Sequence, residues 1–194
     1  MSRSERPDAP VGFVVVDKPS GWTSHDVVAK CRGILGTRKV GHSGTLDPMA
    51  TGVLVLGVGR ATKLLAFLSG LPKTYDATIR FGVETDSLDA DGAVTVTHDM
   101  APPPLDRVRA AAQTLTGDLQ QVPPMVSAKK VDGVRLHELA RRGEVVDRAA
   151  VPVHVDRFDV GATDDPMVFT ATVGCSAGTY IRVLAADLGH ALGG

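Results

Sequence analysis

The chain has 194 residues, 43% of them hydrophobic and 22% charged, with a formal net charge of −1. That is enough apolar sequence for a sizeable core, in one domain or a domain with an insertion, and the near-neutral balance argues against indiscriminate nucleic-acid binding. No apolar run reaches the roughly 18 residues a membrane span needs, and the polar, mixed-charge stretch from Met1 to Pro10 reads as a disordered N-terminus and not as a signal peptide. Cys31 and Cys175 lie far apart with no CxxC partner, so reduced thiols in a cytoplasmic protein are the simpler reading, with a bridge still open.

In chain order, Phe13 to Val16 reads as a short buried strand. Ser24 is placed to cap a helix reaching about Leu35, with Val27, Val28, Cys31, Ile34 and Leu35 on one face. Val53 to Val58 reads as a second buried strand, and Ala61 to Leu71 as a helix with an apolar face. Thr74 to Gly82 alternates as a strand, and Asp91-Gly92 makes a turn before Val94 to Thr97. The run Pro102-Pro103-Pro104 separates this from a helix capped by Asp106 and ending near Gly117. Gln120 to Val126 is extended, and Gly133 to Gly143 carries a short basic helix with Leu136, Leu139 and Ala140 inward. Val151 to Val160 and Met167 to Cys175 pair as strands, and Thr179 to Leu192 closes with Ile181, Leu184, Ala185, Leu188 and Leu192 at helical spacing. Hairpins mixed with helices give an α+β protein with a mostly antiparallel sheet.

Charge is segregated along the chain. Between Val27 and Tyr75, seven cations (Lys30, Arg32, Arg38, Lys39, Arg60, Lys63 and Lys73) accompany a single acid, Asp47. From Asp76 to Asp99 six acids face one base, Arg80, and from Lys129 to Arg148 six bases face four acids. Segregation of this kind aims one face at a polyanion; ordinary solvated faces are the alternative for each segment. Asp47 sits in the Gly- and Pro-rich loop from Gly41 to Gly52. One acid among cations is a poor divalent-metal site, which wants several oxygens. It suits a catalytic carboxylate facing phosphates, or a turn Asp bonded to its own backbone. Ser87, Asp89 and Asp91 before Gly92 have the spacing of a calcium loop, but His98 stands where the ligating Glu belongs.

The run His42-Ser43-Gly44-Thr45-Leu46-Asp47-Pro48-Met49-Ala50-Thr51-Gly52-Val53-Leu54 closely resembles the catalytic loop of the TruB family of tRNA pseudouridine synthases. Four further blocks resemble the same family in the same order: Val16 to Gly21, Lys73-Thr74-Tyr75, Gln121 to Lys130, and Cys175 to Arg182. The resemblance spans about residue 11 to residue 194. It implies the pseudouridine synthase fold, a mixed, mostly antiparallel sheet flanked by helices, with an RNA-gripping insertion over about 124–150. Family members continue beyond the helix bearing Arg182, so a catalytic domain over 11–194, incomplete at its C-terminal end and without the family's C-terminal RNA-binding domain, is the expectation.

The resemblance also implies roles. Asp47 becomes the nucleophile, since breaking and remaking a glycosidic bond is easier through a covalent intermediate; attack on the base and on the sugar are both open to it. Arg182 becomes an ion-pair partner that orients Asp47, although a surface Arg reads equally well from sequence. Tyr75 becomes the aromatic that stacks on the uracil and handles a proton, against the plainer reading of a core Tyr opening a strand. His42 fills the gap left by a flipped uridine, or is simply a surface histidine. Lys18 belongs to a block that braces the catalytic loop and is counted with the RNA-binding residues. Lys129, Lys130, Arg135, Arg141 and Arg142 match the RNA-gripping insertion, where phosphate contacts set affinity and not base choice.

The function implied is isomerisation of uridine 55 in the T loop of tRNA to pseudouridine, by a monomeric enzyme with no cofactor, no metal and no obligate protein partner. A fragment that only grips and refolds tRNA is the second reading. A metal-dependent phosphohydrolase is a third, and it lacks the acids it would need near Asp47.

Overall fold

The computed structural model describes residues 10–127, 129–131, 133–144 and 146–194, with the backbone alone at 130, 131, 135, 137, 140 and 141. The N-terminal stretch expected to be disordered lies, up to residue 9, outside them. The chain forms two compact units, Met1–Leu71 and Pro72–Gly194, each with a core of its own.

The first unit runs β1 (Gly12–Lys18), α1 (Ser24–Leu35), β2 (Val40–His42), β3 (Gly52–Val58), a 3-10 turn (Gly59–Leu64) and α2 (Leu65–Ser69). β3 lies between β1 and β2, antiparallel to both. Alternation puts Val14 and Val16 with Leu54, Leu56, Val58 and Val40 on one face, where Val27 and Val28 of α1 close the core. Phe13, Val15 and Val53 point the other way and are exposed, so strands expected to be buried are half-buried. Across that second face Gly41 and Gly57 are register partners. A Cβ on Gly57 would stand 3.0 Å from Leu65 Cγ and 3.1 Å from the Ala61 carbonyl oxygen. The two glycines form a trough into which Leu65 drops.

Two local expectations are corrected here. The N-cap of α1 is Thr23, one residue before Ser24. Its hydroxyl accepts from Asp26 N and the Asp26 carboxylate accepts from Thr23 N, a reciprocal capping box. Ser24 opens the helix and turns its hydroxyl to the neighbouring loop. The helix expected over Ala61 to Leu71 is instead the 3-10 turn followed by the five residues of α2. Only Ala61 and Leu65 are buried there, while Phe67 is 76% exposed, too little burial to hold a long regular helix.

The second unit runs β4 (Lys73–Arg80), β5 (Val83–Thr85), β6 (Val94–Thr97), α3 (Leu105–Thr114), β7 (Gly117–Gln121), β8 (Lys130–Val131), β9 (Val134–Arg135), α4 (Leu136–Arg141), β10 (Val151–Ala162), β11 (Val168–Cys175) and α5 (Ile181–Leu192). Four strands form a sheet in the order β4-β11-β10-β7. One face buries Ile79, Val155, Phe158, Val160, Phe169, Ala171 and Val173 against Val108 and Ala112 of α3 and Leu184, Leu188 and Leu192 of α5, the latter spaced by four as an inward stripe requires. The other face carries Asp76, Thr78, Thr170 and Thr172, with the Thr172 hydroxyl donating to Asp76 at 2.7 Å. A bulge between Val155 and Arg157 divides β10: its first half pairs with β7 and its second with β11. Every described strand pair is antiparallel, which fits the α+β class expected from sequence.

Asp106 does not cap α3. Pro104 occupies that position without a side-chain cap, and Asp106 lies in the first turn, 3.9 Å from Arg109. The basic helix expected from Gly133 shortens to α4, because the chain first makes the β8–β9 hairpin; Leu136 and Leu139 are buried as expected. Cys31 and Cys175 are free thiols. Among the described residues, no helix is long and apolar enough to cross a membrane.

The glycine trough predicts an asymmetry. Gly57→Ala, which meets backbone at Ala61, is expected to lose about 1–3 kcal/mol. Gly41→Ala meets only the Leu65 side-chain tip and is expected to lose less than about 1 kcal/mol. Urea unfolding of the two variants beside the parent chain checks the order.

Candidate active site

Asp47 lies in the irregular loop between His42, the last residue of β2, and Gly52, the first of β3, and is half-buried. Gly and Pro keep this loop from regular structure, so its shape depends on contacts with its surroundings. Ser43 N donates to Val55 O at 3.0 Å, and Ala50 N closes a turn onto Asp47 O at 3.1 Å. Leu46 N donates to the buried Ser24 hydroxyl at 3.0 Å. Gly21 N donates to Pro48 O at 2.9 Å, and the Ser20 hydroxyl donates to Met49 O at 3.2 Å.

Lys18 fixes this arrangement. Its residue exposure is 0%, and Nζ donates to the carbonyls of Pro19 (3.0 Å), Trp22 (2.6 Å) and Pro48 (3.0 Å). An ammonium has three hydrogens and no acceptor, so all three are used on backbone. Burial pushes the Lys18 pKa down, and the negative charge of Asp47 opposes that shift. The inclusion of Lys18 among the RNA-binding cations is therefore corrected: the geometry is that of a brace, with no hydrogen left for a phosphate.

His42 is half-buried beside this loop. Burial pushes its pKa below the usual histidine value, while the Gly44 backbone works the other way. Of the cations around it in sequence, Lys30, Arg32, Arg38, Arg60 and Lys63 are exposed, and Arg32 donates to Val40 O at 2.9 Å.

Tyr75 and Arg182 belong to the second unit. Tyr75 is opposite Val173 in the β4–β11 register and packs against the core while remaining partly exposed. Arg182 is in the first turn of α5, as expected. It forms an ion pair with Asp89 at 3.2 Å, both side chains only 10% exposed, and donates to Ser87 O (2.6 Å) and Val126 O (2.9 Å). A pair this dry holds because two backbone carbonyls also accept from the guanidinium. The start of α5 is fixed further by the buried Gln121, whose amide accepts from Tyr180 N at 2.8 Å and donates to Tyr180 O at 3.1 Å. Sequence reading missed both Asp89 and Gln121. The acidic run around Asp89 was the one available signal, and it read as a rejected calcium loop.

The hairpin that carries Asp89 is tied to α5 at a second point. Glu84 Oε1 meets His98 Nε2 at 2.7 Å and His190 Nε2 at 3.2 Å. In the insertion, Lys129 is half-buried and Arg142 is exposed, 3.9 Å from Glu144; the side chains of Lys130, Arg135 and Arg141 lie outside the described residues. Arg148 Nη1 donates to Pro123 O at 2.9 Å, joining the two ends of that segment. Among the described residues, no three His, Cys, Asp or Glu side chains gather to hold a metal ion.

This architecture is shared with proteins of known structure. The chain is similar to a chain of the crystal structure titled as a Cbf5-Nop10-Gar1 complex, with a TM-score of 0.71 and 30% identity over 94% of this chain and 44% of that one. A chain in the structure of an H/ACA RNP bound to a substrate RNA containing 2'-deoxyuridine matches with a TM-score of 0.67 and 26% identity, over 94% of this chain and 43% of that one. Residues 32–181 match the profile described as TruB family pseudouridylate synthase (N terminal domain), and the chain belongs to that family. Curated relatives include the tRNA pseudouridine synthase B of Arthrobacter sp. (strain FB24), 55% identical over 94% of this chain and 61% of the relative. The tRNA pseudouridine synthase B of Rhodococcus jostii (strain RHA1) is 54% identical over 99% of this chain and 65% of the relative. The chain thus spans less than two thirds of the length of these relatives.

Two outcomes test this geometry. Lys18→Met leaves three carbonyls without their charged donor and is expected to cost about 3 kcal/mol, whereas Lys30→Met on the surface of α1 should change stability by less than about 0.5 kcal/mol; urea midpoints compare them. Hydrogen bonding from His98, reinforced by His190, pulls the Glu84 pKa below 4.5 against the opposing effect of burial. A depressed carboxylate stabilises the fold above its unfolded pKa and loses that contribution as pH falls through its folded value. Melting curves from pH 7 to pH 3 should therefore show Glu84→Gln less stable than the parent above about pH 4.5, with the gap narrowing below it.

Proposed function

We propose that this chain is the catalytic part of an enzyme that isomerises uridine 55 in the tRNA T loop to pseudouridine. The supporting observation is that Asp47 stands on a loop whose shape is fixed by a fully buried lysine, in a chain 55% identical to a protein named tRNA pseudouridine synthase B. A nucleophile that must meet one atom of a displaced base needs such a rigid mount.

In this reading Asp47 attacks the target nucleotide and forms the covalent intermediate, and the freed uracil turns before it rejoins through carbon. Tyr75 stacks on the uracil and moves a proton. Arg182, held by Asp89, is the third catalytic residue. His42 occupies the space left when the uridine leaves the stack. Lys129, Lys130, Arg135, Arg141 and Arg142 take phosphates, so binding weakens steeply with salt. The enzyme works in the cytoplasm as a monomer and needs no cofactor.

The test is single-turnover reaction with unmodified tRNA transcript, pseudouridine being read by carbodiimide-stop primer extension. The parent chain is expected to give a stop at T-loop position 55, and Asp47→Asn none, while tRNA affinity stays within about twofold of the parent, since Asp47 contributes no phosphate contact. Binding without product in the parent chain would leave the gripping function alone.

A further inference from the structure

The first turn of α1 meets the Asp47 loop at two points. Ser24 accepts from Leu46 N at 3.0 Å, and its hydroxyl lies 3.4 Å from Leu46 O. One residue on, the exposed ring of His25 stands edge-on to the ring of His42, with centroids 5.2 Å apart and planes at 83°. Perpendicular rings at this spacing attract through the opposed charge of edge and face, and the attraction fixes orientation as well as distance.

The mount for His25 is rigid. Thr23 and Asp26 close the capping box on either side of it, and Val27 and Val28 anchor the next turn in the core. Thr23-Ser24-His25-Asp26 therefore does two jobs in four residues: the outer pair fixes where the helix starts, and the inner pair fixes the loop. Helix stability does not ask for a histidine here, since a positive charge in a first turn opposes the helix dipole.

We propose that His25 is a positioning residue for His42, its ring setting the angle at which His42 meets the RNA. This rests on the function proposed above, which gives His42 its task. Burial is the main cause that lowers the His42 pKa, and the neighbouring His25 acts in the same direction.

The test uses His25→Ala, His25→Phe, His42→Ala and the His25→Ala/His42→Ala double variant of the whole chain. Ring-proton resonances of His42, read by NMR without RNA, should move in His25→Ala and stay near the parent position in His25→Phe, which retains an aromatic ring. Single-turnover pseudouridine formation should slow about three- to tenfold in His25→Ala, the range an aromatic pair supports. His25→Phe should recover most of that rate, and His25→Ala should cost nothing further once His42 is already alanine. Unmoved His42 resonances in His25→Ala would overturn the proposal, as would an unchanged rate or a full additional loss in the double variant. If the parent chain makes no pseudouridine, the enzyme reading fails by itself. The resonances, which need no RNA, then decide the positioning alone.

Discussion

Three carbonyl oxygens converge on the buried ammonium of Lys18, and the Asp47 loop takes its shape around that point. Burying a lone charge costs several kcal/mol, so the ammonium is stable there only while the carbonyls of Pro19, Trp22 and Pro48 face it. The dependence is mutual. Two prolines withhold backbone donors from this region, and the Gly- and Pro-rich loop has little hydrogen bonding of its own. A flexible segment is thereby given a fixed form by a strand residue, since Lys18 ends β1 in register with Gly52 of β3.

Both units hold their candidate functional groups by the same strategy, borrowing rigidity from regular structure at a few polar contacts. In the first, β1 and the first turn of α1 immobilise the loop through Lys18, Ser24 and His25. In the second, the β5–β6 hairpin grips α5 through Asp89 with Arg182 and through Glu84 with His190, and Gln121 clamps the helix entrance from β7. Side chains so supported have few alternative rotamers, which is what a site must supply if it is to meet one reactive atom repeatedly. The apolar cores beneath them, one per unit, carry most of the folding stability and place these polar contacts without taking part in them.

The legible part of the sequence was its periodicity and its motif order. Alternation gave β4, pairing of two runs across a short connection gave β10 and β11, the helical spacing that includes Leu184 and Leu188 gave α5, and the loop motif placed Asp47 in irregular backbone. Thr23 and Asp26 were legible too, as a capping box three residues apart, but Ser24 beside them drew the assignment. Other features were hidden because they join residues distant in sequence. The Gly41–Gly57 trough exists only once β2 and β3 are in register, and Asp89 with Arg182 only once the hairpin meets α5. The short 3-10 turn after β3 was misread because an apolar pattern reports a face that wants burial; Phe67 finds nothing among the described residues to bury it.

Gln121 and Val151 are register partners at the ends of β7 and β10, so residues 122–150 leave the sheet and return to it at neighbouring points. A detour between two clamped ends is thermodynamically separate from the strands it departs from, since changing its length alters closure entropy only slowly. The segment that carries Lys129 and Arg142 can accordingly change in length among descendants of this chain while the β-sheet beside it stays as it is, provided the Val126 carbonyl still meets Arg182. Change in that segment is uncoupled, at this one pair of residues, from change in the sheet.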